Sequence, residues 1–286
     1  MARQIIYVVG DVHGEFEKLN DFIADRIRNL SILREIASEY RQMREPFNVM
    51  IFQVGDFGYF WPDRDSRGKI HNDVDFLPNG KVWIYWCGGN HEDWDRLDSL
   101  FVGKPENTPG IQVEPGICFC RFGSTLKLVD GRTVLFAGGA ESIDKTERLR
   151  EMSTGQSKIW WHQEGISATD MKRLESVKKV DLVISHTAPE KFNLRQWIGG
   201  NSFAIKQKVD NTSRIKLNAV LEKYRPSQWI FGHFHIFMRG TYRDCHWTGL
   251  NLLSGKKRGD DFLSLDIETQ KPWGDDDREA ARRRAN

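Results

Sequence analysis

Cysteine is scarce in this chain: four in 286 residues, Cys87, Cys118, Cys120 and Cys245, with no CxxC pair. That excludes the disulfide framework of a small secreted domain. Three of the four sit in apolar, strand-like runs and read as buried free thiols. Charge of one sign is lacking too, since 42 basic residues stand against 40 acidic ones, a formal net charge of +2. So even a balance gives no sign of a nucleic-acid or membrane partner. No apolar run approaches the length of a membrane span. No charged leader with a long apolar stretch and a cleavage site precedes the first strand pattern. A reducing cytoplasm is the expectation. No internal repeat is present.

What is there fits a globular α/β chain, with 39% hydrophobic and 29% charged residues and enough length for a real core. Residues 5–9 are apolar and β-branched and end in glycine, which predicts a buried strand feeding a loop. No Gly or Pro occurs from 15 to 40, and Phe16, Leu19, Ile23, Ile27, Leu30, Leu33, Ala37 and Tyr40 recur at helical steps. Strands are predicted at 47–54 and 82–87, an irregular loop at 61–80 and a short helix at 94–101. Further strands are predicted at 117–122, 133–137, 181–185, 229–232, 237–242, 247–253 and 263–267. Helices are predicted at 167–179, capped by Ser167 with Asp170 three residues on, and at 212–224. The alternation suggests sheets covered by helices. Residues 1–272 read as one domain and 273–286, rich in both charges, as a tail.

The strand ends carry the polar chemistry. They read Gly10-Asp11-Val12-His13-Gly14, Gly55-Asp56-Phe57-Gly58, Gly89-Asn90-His91-Glu92, a lone His186, and Gly232-His233-Phe234-His235. Loops at the carboxyl ends of strands gather at one rim of an open α/β sheet. A glycine before each polar residue permits a sharp turn there. Asp11 and His13, like His233 and His235, stand two apart and could face one way from an extended segment. The donor set mixes nitrogen and oxygen without thiolate. It suits first-row divalent metals such as Mn, Fe, Co, Ni or Zn, and is too rich in nitrogen for a typical Mg or Ca site. Taken singly, Asp11 is also a plausible turn residue and His186 a hydrogen-bonded strand-end histidine. His71, His162 and His246 read as ordinary surface or partly buried histidines.

This ordered set resembles the calcineurin-like metallophosphoesterase superfamily, with a likeness to its phage and bacterial phosphodiesterase-type members. The motifs run from Gly10 to His235. The resemblance implies a two-sheet β-sandwich flanked by helices, an α-β-β-α architecture. It implies two divalent metal ions, manganese foremost. Asp11, His13 and His235 would hold one; Asn90, His186 and His233 would hold the other; Asp56 would bridge them. His91 would lie beside the metals and protonate the leaving oxygen, with Asn90 steadying a phosphate oxygen.

Departures from the family narrow the substrate. Protein phosphatases of this superfamily carry an arginine shortly after the second Gly-Asp. Here the segment continues Gly58-Tyr59-Phe60-Trp61, which argues against that branch. The aromatic cluster suits a nucleobase or aryl leaving group. The expectation is therefore a phosphodiesterase acting on a small phosphoester or nucleotide, with 2′,3′-cyclic nucleotides among the candidates. A phosphomonoesterase or protein phosphatase, a nuclease and a non-catalytic scaffold are the alternatives. Residues 138–145 and the pair Trp160-Trp161 either line the cleft or are, respectively, a turn with a helix cap at Ser142 or Asp144 and core. Arg148 and Arg150 read either as phosphate-reaching cations or as a solvated helix face.

Overall fold

The computed structural model describes residues 3–29, 34–35, 38, 47–60, 68–77, 80–106, 108–155, 158–194, 212–254, 259–266 and 271–272. Among them the strands are β1 (Arg3–Val9), β2 (Phe47–Gln53), β3 (Trp83–Trp86), β4 (Gly110–Glu114), β5 (Ile117–Cys120), β6 (Ser124–Lys127) and β7 (Thr133–Ala137). They continue as β8 (Leu182–Ser185), β9 (Gln228–Phe231), β10 (Met238–Tyr242), β11 (Cys245–Gly249), β12 (Phe262–Asp266) and β13 (Lys271–Pro272). The α-helices are α1 (Phe16–Ile23), α2 (Trp94–Ser99), α3 (Lys145–Ser153), α4 (Ala168–Arg173) and α5 (Thr212–Tyr224).

The strands form two mixed sheets. One runs β13-β12-β1-β2-β3-β5-β4, the other β10-β11-β9-β8-β7-β6. In the first, β1, β2, β3 and β5 are mutually parallel. In the second, β7, β8, β9 and β11 are. Parallel strands point their carboxyl ends the same way, so each sheet sends its loops to one rim.

Period-two alternation builds the layers. Ile6 and Val8 of β1, and Met50 and Phe52 of β2, meet Val134, Phe136, Leu182, Ile184 and Ile230 of the other sheet in one buried cluster. The alternate residues Ile5, Tyr7, Val9, Val49 and Ile51 face outward and are covered by Phe16, Leu19, Phe22 and Ile23 of α1. On the far side, Leu135, Val183, Trp229 and Phe231 lie under Leu217, Val220 and Leu221 of α5. The expected helix–sheet–sheet–helix sandwich is what the chain forms.

Two predicted helices change form along their length. The first α-helix stops at Ile23 and passes into a π-helical turn, Ala24–Arg28, closed by the Asn29 N–H on the Ala24 carbonyl at 3.0 Å. Most of its predicted continuation beyond residue 29 lies outside the described residues, as does the 273–286 tail. The helix predicted at 167–179 carries its capping box, with Ser167 and Asp170 exchanging bonds, but turns 3-10 at Leu174–Ser176.

The inter-sheet layer is closely packed. Phe52 is fully buried, and its ring centroid lies 5.4 Å from Phe136 and 6.0 Å from Tyr85. Phe52→Ala should lower unfolding free energy by about 3–5 kcal/mol. Urea denaturation checks this; a loss below about 1 kcal/mol would mean that the layer is loosely packed.

Candidate metal centre

Every strand end singled out in the sequence reaches the same rim. Asp11 and His13 follow β1, Asp56 follows β2, Asn90 and His91 follow β3, His186 follows β8, and His233 and His235 follow β9. The loops are laced together by their backbones. The N–H groups of Val12 and His13 donate to the Asp56 carbonyl at 3.1 and 2.7 Å, and Gly14 N–H donates to the Phe57 carbonyl. Gly232 N–H donates to the His186 carbonyl, and Leu253 N–H to that of Asp11.

His13, Asp56, His233 and His235 have φ of 50°, 53°, 70° and 52°. The paired side chains therefore do not project from an extended segment, as their spacing suggested. They turn inward from left-handed residues, a conformation that costs about 1–3 kcal/mol each outside glycine. The flanking glycines let the backbones close in. A Cβ on Gly232 would lie 2.0 Å from Asp11 Oδ1, and one on Gly89 would lie 2.1 Å from Asp56 Oδ1.

Two groups of donors result. Ligand atoms of Asp11, His13, Asp56 and His235 all lie within 4.8 Å of one another. His235 Nε2 is 3.2 Å from His13 Nε2 and 3.1 Å from Asp11 Oδ2. In the second group, His186 Nε2 is 3.0 Å from Asn90 Oδ1, 3.2 Å from His233 Nδ1 and 3.3 Å from Asp56 Oδ2. Asp56 belongs to both. Its Oδ2 is also 3.8 Å from His13 Nε2, while its Oδ1 accepts the His91 N–H at 2.7 Å. The first group is the more open: the His235 side chain is 41% exposed, whereas that of His186 is fully buried.

Hydrogen-bond chemistry says what belongs between these atoms. His186 Nδ1 lies 3.0 Å from the Val54 carbonyl, which can only accept, so Nδ1 carries the proton. The Nε2 lone pair of neutral His186 then faces a carboxylate oxygen and an amide oxygen, both acceptors. With His233 Nδ1 as the one neighbour there that could donate, the arrangement suits a cation. Burial opposes ionisation of His186, but the charges of Asp56 and Asp11 outweigh burial and push it up to about 9. Burial likewise works against the Asp56 carboxylate, yet His186, His91 and His13 hold it well below the usual range. Burial and the His186 charge drive His233 far down. Separations near 3 Å suit neighbouring ligands of one ion with bonds of about 2.0–2.2 Å. The chemistry of the donors fits a divalent first-row ion.

A second layer was not legible in the sequence. Glu92 is fully buried and accepts the Phe57 N–H at 2.8 Å, bracing the loop that carries Asp56. Burial and the neighbouring Asp56 push its carboxyl up to about 8. Asn90 Nδ2 reaches Ser142 Oγ at 3.4 Å, and Ser142 donates to Glu164 at 2.6 Å, an arrangement that turns Asn90 Oδ1 toward His186. Residues 138–145 therefore do border the site, and Asp144 is the N-cap residue of α3. Of the two arginines, Arg150 is exposed and pairs with Glu147, while Arg148 is buried against His91. His91 itself is pushed down to about 4, chiefly by burial.

The described aromatic candidates are partly or fully buried against their surroundings. Trp161 is buried and bonds Asp95, and Trp160 donates to Glu164 at 2.9 Å. Tyr59 stacks on Phe57, packs against Trp86 and bonds Glu114. Phe60 packs on the same core, and Trp61 lies outside the described residues. His71, His162 and His246 are exposed.

The sequence pattern of calcineurin-like phosphoesterases matches residues 5–237. No curated protein matches the chain significantly. Among solved structures, TT1561 of Thermus thermophilus aligns over 94% of this chain and 97% of its own, at 10% identity and a TM-score of 0.43. The phosphopantetheinyl hydrolase of Mycobacterium tuberculosis aligns over 91% and 95%, at 11% identity and a TM-score of 0.46. An archaeal phosphodiesterase aligns over 94% and 96%, at 10% identity and a TM-score of 0.35.

The close approach of Gly232 to Asp11 gives a direct test. A Cβ there would press on Asp11 Oδ1 at 2.0 Å and on the buried Val54 Cγ2 at 2.6 Å, so folded Gly232→Ala protein, checked first by circular dichroism, should bind at least roughly tenfold less Mn²⁺. Calorimetric titration with Mn²⁺ measures this. Wild-type affinity in the variant would show that Asp11 is not held where the metal binds.

Proposed function

Because this chain belongs to the calcineurin-like phosphoesterase family, we propose that it hydrolyses phosphodiesters with two divalent metal ions, manganese foremost, at the rim shared by its two sheets. The observation that carries this reading is the gathering of seven donors from five strand-end loops in two adjoining groups. Asp11, His13 and His235 would hold one ion, Asn90, His186 and His233 the other, and Asp56 both. Residues 1–272 are taken as one catalytic domain. All four cysteines are free, which supports a reducing cytoplasm. Among the described residues, no helix is long and apolar enough to cross a membrane.

When bound, the ions supply Lewis acidity toward the phosphoryl group and the attacking water. The chain's own residues do the rest. Asp56 keeps the two positions adjacent. Asn90 presents its amide oxygen inward because Ser142 holds the other end. His91 follows directly, with its backbone fixed on Asp56; as the imidazolium, which a bound phosphate anion favours, it would give a ring N–H proton to the departing oxygen and be left as neutral imidazole.

The diester preference is supported by the loop after Asp56, which continues through Gly58, Tyr59 and Phe60 without a cation. A monoester dianion carries roughly one more negative charge than a diester and favours an added cation. The substrate is accordingly a small phosphodiester such as a 2′,3′-cyclic nucleotide.

A substrate panel tests this, with Mn²⁺, Ni²⁺ or Zn²⁺ added to chelator-stripped protein. Bis-p-nitrophenyl phosphate and 2′,3′-cyclic nucleotides should turn over faster than p-nitrophenyl phosphate. Fast monoester turnover with no diester turnover would overturn the diester preference. Silence on every ester with every metal would overturn the hydrolase.

Asp56→Asn should reduce turnover by at least roughly 10³-fold and lower the content of both metals, because one oxygen serves two ions. Two metals retained per chain, measured by elemental analysis, would remove Asp56 from its bridging position.

A further inference from the structure

Between β5 and β6 the chain crosses from one sheet to the other through Arg121, Phe122 and Gly123. Gly123 has φ of 90°, and a Cβ there would lie 2.9 Å from Arg173 Cβ, so this turn sits directly against the end of α4. A cavity of about 390 Å³ opens at the junction. Arg121 and Arg173 line it, with Lys172, Glu106 and Glu175. None of the seven donors of the metal centre does. Strand β5 is parallel to β3, and β3 to β2, so Arg121 emerges at the same rim two strands beyond β2. At the usual strand spacing that is about 10 Å to the side of Asp56.

Arg121 is the anomaly at this junction. Its guanidinium lies over the Phe101 ring, 4.4 Å from the centroid. Its Nε and Nη2 are buried and have no acceptor. Those two N–H groups form one edge of the guanidinium, the fork that takes a carboxylate or phosphate through two parallel bonds. Arg173 is half engaged: Nη1 donates to Asp170, while Nε is buried without an acceptor. By contrast, the buried Arg148 directs Nε to Asp144 and Nη1 to two carbonyls. Burial, and after it the Arg173 charge, hold the Arg121 guanidinium below its usual value, although Asp170, Glu106 and Asp98 pull the other way. Buried donors with no acceptor, on two neighbouring cations, cost stability rather than supply it. A structural role does not account for them.

We propose that this cavity binds a small molecule through an oxyanion group, phosphate or carboxylate, held by Arg121 and Arg173 apart from the metal centre. Two guanidinium groups reach it from different elements, one from the β5–β6 crossing and one from α4, and an acceptor is what both lack. The volume lies within the range of small-molecule sites, so the anionic group brings a body with it. The exposed Glu106 and Glu175 on the same wall disfavour a polyanion such as nucleic acid, which leaves a compact ligand. The Arg121 fork is closed to water, so taking an oxyanion turns this side chain toward the cavity it lines. That turn breaks no hydrogen bond of Nε or Nη2 and gives up only the contact with Phe101. The site is independent of the phosphoesterase reading, because none of its residues serves the metals.

The experiment follows the arginine ¹H–¹⁵Nε resonances of the zinc-loaded full chain during titration with inorganic phosphate or with succinate. Ionic strength is held constant, and chloride is the control. At least one oxyanion should displace the Arg121 and Arg173 signals saturably, and the tighter of the two tells phosphate from carboxylate. Arg121→Met should weaken that binding at least roughly tenfold, since two charge-assisted bonds are lost. Without an oxyanion, Arg121→Met should melt no lower than wild type, because it removes a buried cation whose fork has no partner. With the oxyanion present, wild type should gain melting temperature and the variant should not. Should Arg121→Met fail to fold, Arg173→Lys replaces it, with the same tenfold weakening expected. Displacement confined to histidine ring signals would place the anion at the metals and overturn the proposal. So would the absence of saturable displacement with both oxyanions, undiminished affinity in the variant, or a variant that melts well below wild type without an oxyanion. A chain that hydrolyses no ester sinks the phosphoesterase reading and leaves this binding test intact.

Discussion

The Asp56 carboxylate is the constraint around which the rim is arranged. One oxygen is fixed by the His91 N–H, and the other lies between His186 and His13. Its backbone carbonyl takes the N–H groups of Val12 and His13, so the same residue also sets the position of the first loop. A buried carboxylate is unfavourable alone. It persists here because histidines, and in the proposed holoenzyme two cations, surround it. The left-handed backbone at His13, Asp56, His233 and His235 is the strain accepted to bring those partners in.

Much of this was legible before any coordinates. Strand ends followed by glycine and a polar residue mark both a turn and a ligand, because the turn needs the glycine. The residues that gather at the rim were therefore recognisable in one dimension. Side-chain direction did not: a spacing of two residues implied extended segments, whereas the histidines turn inward through positive φ. The aromatic residues after Asp56 suggested a base-binding surface, but Tyr59 and Phe60 are anchored to the core by Phe57 and Trp86.

The elements that escaped prediction have physical reasons too. Strands β4 and β6 lie at the outer edges of their sheets and are only partly buried, so neither face imposes an apolar alternation. Helix α3 has no apolar stripe, because what it buries is Arg148. A buried cation is silent in any hydrophobic pattern. Only the constellation of Ser142, Arg148 and Glu164 around Asn90 and His91 reveals why so polar a stretch is ordered beside the site.

The two groups of donors are each divided between the sheets. Asp11, His13 and Asp56 belong to the seven-stranded sheet and are met by His235 from the other; Asn90 is met by His186 and His233. Elsewhere the sheets adhere through an apolar layer that is non-directional and tolerates sliding. At the rim they are tied by atoms whose separations an ion would fix to within tenths of an ångström. Proposed as ligands, these residues make the ions a clasp on a two-leaved book. The free divalent-metal concentration then sets how firmly the leaves are shut, by the same mass action that couples any ligand to a fold.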